Sequence, residues 1–437
     1  MRRYVVIFSL IVVGAIAGIS FYQPPMRLMP APALFLDGQT NTFSGAPETT
    51  DPQISPFYAT NRLPIGPRDN RIYTVVPGRD LNLGVATIRI GNENTTWERI
   101  YEWSTLASGD RRPFLYLQNM AEQASLAGAD PLPAEASAWF AQINDALARS
   151  RNKDIIVYVH GASTTVERAA GQAAQLHHFS GRDTVVVLFV WPTAENFLRY
   201  TRDMITSLGA APHLATLIEL LARNTSAEKI DVLTYSAGAT VGSNGLALVG
   251  AKAKRHGSEG FRLGEIYHAA PDADFRSFVD DLRAYADQVR RITVGVNLSD
   301  AALRLSQLVN RASRAGRPDM AELDLEATDW LLGAAADYGL NIVRVRPEGI
   351  PGLSRGSHTF LVRRSLGQQR CPAQPFPASA SWRPGPRRRK CQIRASLLGV
   401  PAGLSEPTRC RPGPIAGRKA ASSFGSGEMK NLIPLGR

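Results

Sequence analysis

Cysteine is nearly absent from the chain. Its 437 residues hold three, Cys371, Cys391 and Cys410, all close to the C-terminus, so neither a disulfide framework nor a Cys-rich metal site supports the body of the protein. That usage permits an oxidising compartment without requiring one. Histidine is sparse too, with seven residues; His177 and His178 are adjacent and point to different sides of a helix, and no H-E-x-x-H pattern occurs. No metal site is expected. A GxxxxGK[ST] loop is missing as well, and no cofactor is expected. Acidic residues thin out near the end: from Gln368 to Arg437 there are 13 Lys+Arg and 2 Asp+Glu, a net of +11, leaving 12 − 11 = +1 for residues 1–367. The positive charge belongs to the tail, including RRRK at 387–390, and reads as a solvated segment; no nucleic-acid partner is expected.

One long uninterrupted apolar run is present, YVVIFSLIVVGAIAGISFY at residues 4–22, behind the positive start MRR. Its length is about the ~20 residues that span a bilayer, and the basic flank would keep the N-terminus in the cytoplasm, with the rest facing the periplasm or exterior. Ala15-Ile16-Ala17 also resembles a signal-peptidase site, so cleavage to a secreted or periplasmic form is the alternative. Residues 1–22 thus read as an anchor or signal peptide. Residues 23–54 read as a linker, 55–366 as the folded domain, and 367–437 as a disordered Pro/Arg-rich tail. An apolar fraction of 44% with 20% charged residues suits a folded body with such appendages.

From residue 154 onward, short apolar runs alternate with stretches of helical spacing. DIIVYVHG at 154–161 and TVVVLFVWP at 184–192 read as buried strands, with helices at 165–178 and 196–223. EIYHAAPDAD at 265–274 and RITVGVNLSD at 291–300 follow, separated by a helix at 275–288. Such alternation predicts a mainly parallel sheet covered by helices on both faces, with functional groups at the C-terminal ends of the strands. Earlier, FYATNR at 57–62 and LGVATIRI at 83–90 read as strands, and 134–150 as a helix; no period places the rest of 63–150.

KIDVLTYSAGATVGSNGLALVG, residues 229–250, reads as a buried strand, a sharp turn and a helix, with Ser236 at the junction. TYSAG nearly matches G-x-S-x-G, a turn that exposes a serine hydroxyl above a sheet with a helix N-terminus beneath it. The departure is Thr234 in place of glycine, at a position that must be small. A serine capping an ordinary helix is the structural alternative.

Five segments in order carry a resemblance: FYATNR at 57–62, VHG at 159–161, LFVWP at 188–192, TYSAG at 234–238 and APDAD at 270–274. Over roughly residues 55–360 the chain resembles the α/β-hydrolase superfamily, and more closely a group of bacterial uncharacterised esterase/lipase-like proteins. The resemblance implies an α/β-hydrolase fold and a Ser-Asp-His chain order. A serine needs an imidazole in reach and a carboxylate to fix its tautomer. His358, in RGSHTF at 355–360, is the histidine that follows both acid candidates and the last strand, and is the expected base. For the acid, the resemblance places a Ser-x-Asp-x-Ala-Leu-like segment at SDAAL, 299–303, which favours Asp300. Asp272 is the alternative, with bracing a loop or capping a helix at Phe275 as its structural reading. The expected oxyanion donors are the backbone N–H groups of Ala237 and Ala162. His160 is expected to shape its loop, and Trp191 and Pro192 to form pocket wall or core.

The implied function is ester hydrolysis on a small-molecule or lipid-like substrate. A noncatalytic envelope protein that keeps the fold as a binding or scaffold module is the alternative, favoured by Thr234 and by an ending that lacks the helix-forming segment of the similar proteins. That ending is expected to be atypical, as from a shifted reading frame.

Overall fold

Strands whose side chains are apolar at every position belong in a sheet covered on both faces, and the computed structural model puts them there. The structure describes residues 26–30, 43, 50–106, 111–128, 130–256 and 261–345; the apolar run 4–22, His358 and the tail lie outside these. In chain order the elements are β1 (Gln53–Ile54), β2 (Phe57–Ile65), β3 (Ile72–Ile90), α1 (Trp97–Thr105), β4 (Leu115–Leu126) and α2 (Ala134–Arg149). Next come β5 (Ile155–Val159), α3 (Val166–Phe179), β6 (Val185–Val190), α4 (Tyr200–Asn224), β7 (Ile230–Tyr235) and α5 (Gly238–His256). The last are β8 (Leu263–Ala269), α6 (Phe275–Tyr285), β9 (Arg291–Val296), α7 (Ala301–Asn310), α8 (Leu325–Asp337) and β10 (Leu340–Arg344).

All ten strands form one sheet in the order β1-β3-β2-β6-β5-β7-β8-β9-β10, with β4 paired to β3. From β2 through β6 to β10 the neighbours are parallel, in registers such as Val157 opposite Val187 and Leu233 opposite Tyr267. The fold is that of an α/β hydrolase. Along β5 the side chains alternate between two apolar clusters. Ile155, Val157 and Val159 face Trp139 of α2, Leu214 of α4 and Val241 of α5, while Ile156 and Tyr158 face Ala169 and Ala173 of α3. This two-sided burial explains why the central strands read as unbroken apolar runs.

The antiparallel wing shows what periodicity missed. β3 is 19 residues long and β4 lies wholly in the stretch with no readable period. Register shifts between Thr60 and Arg62, Arg62 and Pro64, and Leu83 and Gly84 break the two-residue repeat. Within 23–54, Leu28 and Phe43 are buried in the cluster over α3, so part of this segment packs on the domain. Phe197–Asn224, a 3-10 turn continuing into α4, is long and apolar enough to cross a membrane. Its inward face, with Leu214, Leu217 and Ile218, is part of the core.

Candidate active site

Ser236 stands at the C-terminal end of β7 with a left-handed backbone, φ 51°. A non-glycine residue held there costs on the order of 1–3 kcal/mol and persists only where the surroundings fix it. Here the turn is fixed from both sides. Ser236 N donates to Ala269 O at 3.0 Å, and Ser236 O accepts from Ala239 N and Asp272 N, each at 2.9 Å. The side chain is half-buried and the helix that follows starts at Gly238. A Cβ on Gly238 would lie 2.3 Å from His160 O and 2.7 Å from Val159 O, so glycine lets α5 press against the end of β5. The Thr234 departure is compensated further along the helix: Gly242 leaves room for Thr234 Cγ2. Thr234 Oγ1 in turn lies 2.8 Å from His268 Nδ1 on the neighbouring strand, and His268 Nε2 lies 3.0 Å from the Tyr285 hydroxyl.

The loop after β5 meets the serine directly. A Cβ on Gly161 would stand 3.1 Å from Ser236 Cβ, which places Gly161, with Ala162 next in the chain, beside Ser236. Ala237, the other expected donor, is fully buried behind it. His160 donates from Nδ1 to Gly161 O at 2.9 Å and stacks on Trp191, ring centroids 5.5 Å apart. Burial, then the nearby Arg62 cation, push its pKa down to about 3, so it stays neutral and shapes the loop. Trp191 is fully buried and donates to His160 O at 2.7 Å.

Beneath these loops lies a polar frame that the sequence analysis passed over. Arg62, the last residue of FYATNR, is fully buried and donates to Trp191 O (3.0 Å), Thr164 O (3.1 Å), Thr193 Oγ1 (2.9 Å) and Glu195 (2.5 Å). One side chain thereby ties the loop after β5 to the loop after β6. Asp203, buried in the first turn of α4, does the same with opposite charge, accepting from Ser163 N at 2.7 Å and Ala194 N at 2.6 Å. Burial raises the Asp203 pKa, against those two N–H bonds and the Arg62 charge. Ser163, Glu195 and Ala270 adopt left-handed φ values of 53°, 56° and 45° in the segments that follow β5, β6 and β8. A signal for Arg62 existed: an arginine within a strand whose preceding residues are apolar or small and polar has to bury its charge on acceptors.

The two acid candidates differ in their commitments. β8 ends at Ala269, so Asp272 sits in the loop beyond the strand. Its Oδ1 accepts from Ser306 Oγ at 2.6 Å and Arg314 Nε at 2.7 Å, and its Oδ2 from the Tyr200 hydroxyl at 2.7 Å. Asp272 is 4% exposed and braces that loop, while Asp274 caps α6 through Ser277 N. Asp300 stands beyond the end of β9, half-buried, and accepts from Ala302 N and Leu303 N as the cap of α7. The structure brings Ser236, Gly161, Ala162, Ala237 and Asp272 together; it gives no contact between Asp300 and the serine. His358 lies outside the described residues. Other histidines are committed elsewhere: His177 to Thr184 O, His178 to Ser104, His213 to Arg79 O and His268 to Thr234 and Tyr285.

A family model that matches describes the same architecture. Residues 134–336 match the model of a family described as an alpha/beta hydrolase of unknown function (DUF900), in keeping with the resemblance drawn from the motifs. Among solved structures, an inhibited esterase B from Lactobacillus rhamnosis is similar at 12% identity over 45% of this chain and 67% of its own, TM-score 0.24. Thermogutta terrifontis esterase 2 phosphoramylated by tabun is similar at 13% identity over 50% and 80%, TM-score 0.28. A fungal esterase from Rhizomucor miehei is similar at 16% identity over 49% and 72%, TM-score 0.27. No curated protein matches the chain.

Proposed function

We propose that the protein is a serine hydrolase that cleaves carboxylic esters through an acyl-enzyme. In this reading Ser236 Oγ attacks the ester carbonyl carbon while His358 takes the hydroxyl proton. The backbone N–H groups of Ala237 and Ala162 hold the oxyanion, and collapse breaks the carbonyl–alkoxy bond as His358 returns the proton to the leaving alcohol. Water then attacks the acyl-serine by the same proton path. Asp300 orients His358: the resemblance favours it at SDAAL, 299–303, and Asp272 already accepts from three side-chain donors that brace its loop. The substrate is a small-molecule or lipid-like ester. The domain, proposed to span 55–366, works outside the cytoplasmic membrane, tethered or released at residues 4–22.

The observation that carries the reading is the left-handed Ser236 at a strand-to-helix turn, with Gly161 pressed against it. A helix-capping serine needs neither the positive φ nor the close loop. The test is fluorophosphonate labelling of the full chain, with Ser236→Ala, His358→Ala and Asp300→Asn beside it. Labelling that Ser236→Ala abolishes and the other two strongly reduce is the expected result. A folded protein that takes no label would make the domain a binding or scaffold module.

A further inference from the structure

Two elements that reach the catalytic edge carry apolar side chains outward. On the 3-10 turn Phe197–Arg199 and the start of α4, Phe197 is 51% exposed, Leu198 60% and Ile205 73%; on α7, Leu305 is 44% exposed, Leu308 72% and Val309 48%. The two elements are joined at the site itself. The Tyr200 hydroxyl lies 2.8 Å from Ser306 Oγ, both bond to Asp272, and Asp272 N donates to Ser236 O. Charge on these two elements is mainly positive at the surface, with Asp300, half-buried, as the cap of α7. Between Phe197 and Leu208 and between Ala301 and Arg311 the charged residues are Arg199, Arg202, Asp203, Arg304 and Arg311. Asp203 is buried under the loops, whereas Arg199, Arg304 and Arg311 are exposed and Arg202 partly so.

Outward apolar side chains set among arginines are the composition of a face that enters the headgroup region of an anionic bilayer. We propose that this rim docks the domain on an anionic lipid surface, with the mouth of the Ser236 site turned toward it. Charge argues against the other occupants. The tail from Gln368 carries a net +11 and is repelled by the arginines, and a two-fold pairing of this face with itself would set like charges against each other. The inference goes beyond the catalytic reading and holds whether or not Ser236 turns over a substrate.

The test uses the full chain with Cys371, Cys391 and Cys410 replaced by serine and one new cysteine carrying an environment-sensitive fluorophore. The probe is placed by Leu308→Cys on the rim, or by Ser226→Cys, an exposed position before β7, at the other end of that strand from Ser236. Phosphatidylcholine vesicles containing phosphatidylglycerol should raise and blue-shift the emission at 308 several-fold and leave 226 unchanged. Pure phosphatidylcholine should give a weaker response at 308. Arg199→Gln and Arg304→Gln should each weaken the anionic preference about fivefold. Equal responses at 308 and 226, or none at 308, would overturn the proposal, since the domain would then hang from its tether in water. A response at 308 that follows protein concentration would assign the rim to a second copy, and one seen without vesicles at any concentration would assign it to the tail. Because the readout needs no turnover, its failure is distinct from a failure of Ser236 labelling.

Discussion

Gly242 and Thr234 are complementary across the elbow: a Cβ on Gly242 would stand 2.3 Å from Thr234 Cγ2. The glycine that the nucleophile motif wants two residues before the serine has its counterpart in the helix behind, eight residues further on. Gly242→Ala should therefore cost about 1–3 kcal/mol through overpacking. Thr234→Ala alone should cost about 1–3 kcal/mol, because it removes the hydroxyl that partners the buried His268. The double variant should be more stable than the sum of the two, with a coupling of about 0.5–3 kcal/mol in urea titrations. Strict additivity would mean that α5 moves away instead.

Gly161→Ala tests the loop beside Ser236. Its Cβ would meet Ser236 Cβ and Tyr235 Cδ1 at 3.1 Å, tight enough to displace the loop by a few tenths of an ångström without unfolding it. Fluorophosphonate labelling should slow by roughly 10²-fold with the melting temperature little changed. An unchanged labelling rate would separate this loop from the oxyanion role.

The acid assignment can be decided by a pair of isosteric changes. Asn caps a helix about as well as Asp, so Asp300→Asn should leave stability near wild type while turnover falls by roughly 10⁴-fold. Asp272→Asn should do the reverse: the buried Arg314 partner is stranded, at about 3–5 kcal/mol of stability, and the labelling rate per folded molecule survives. Exchange of these two outcomes would make Asp272 the acid.

Arg62 is held by four acceptors on two loops and is fully buried. Arg62→Ala leaves Asp203 and the carbonyls of Trp191 and Thr164 without it and should lower stability by about 3–5 kcal/mol. Limited proteolysis should then open the chain first within 161–196, the loops that the side chain ties together.

Stability should depend on pH through buried groups of both kinds. His268 is pushed down to about 3 by burial, and His177 to about 4, also by burial first. The unfolded chain binds their protons below about 6.5, so their contribution is whole above that pH and is lost as the pH falls toward 4 and 3. Asp231 is raised to about 7, mainly by burial and then by Asp154 and Glu265 against its backbone bond. Its native form holds a proton that the unfolded chain has released above about 4, so this contribution fades as pH rises through 7. Asp231→Asn keeps an acceptor for Glu265 N and should raise the urea midpoint more at pH 8 than at pH 5. A pH-independent difference would remove Asp231 from this balance.

The central layers and the turn that holds Ser236 were legible in the sequence. Strands buried on both faces must be apolar at every position, and their spacing from amphipathic helices is local information; the G-x-S-x-G-like turn between β7 and α5 is local too. Chain order admits both Asp272 and Asp300 as the acid, and the preference for Asp300 rests on the resemblance at SDAAL, 299–303. What joins distant segments was fixed on folding. β4 pairs with β3 through half-buried residues that mix Thr, Gln and Glu with apolar ones and are broken by register shifts, so no period announced it. Arg62 finds its acceptors more than a hundred residues away in Thr164, Trp191, Thr193 and Glu195. Gly242 answers Thr234 from another element, and Tyr200 at the start of α4 meets Ser306 of α7 because both bond to Asp272. Each of these is a contact between positions that composition and periodicity treat separately, and burial, which gives such contacts their energy, exists only once the chain has closed around them.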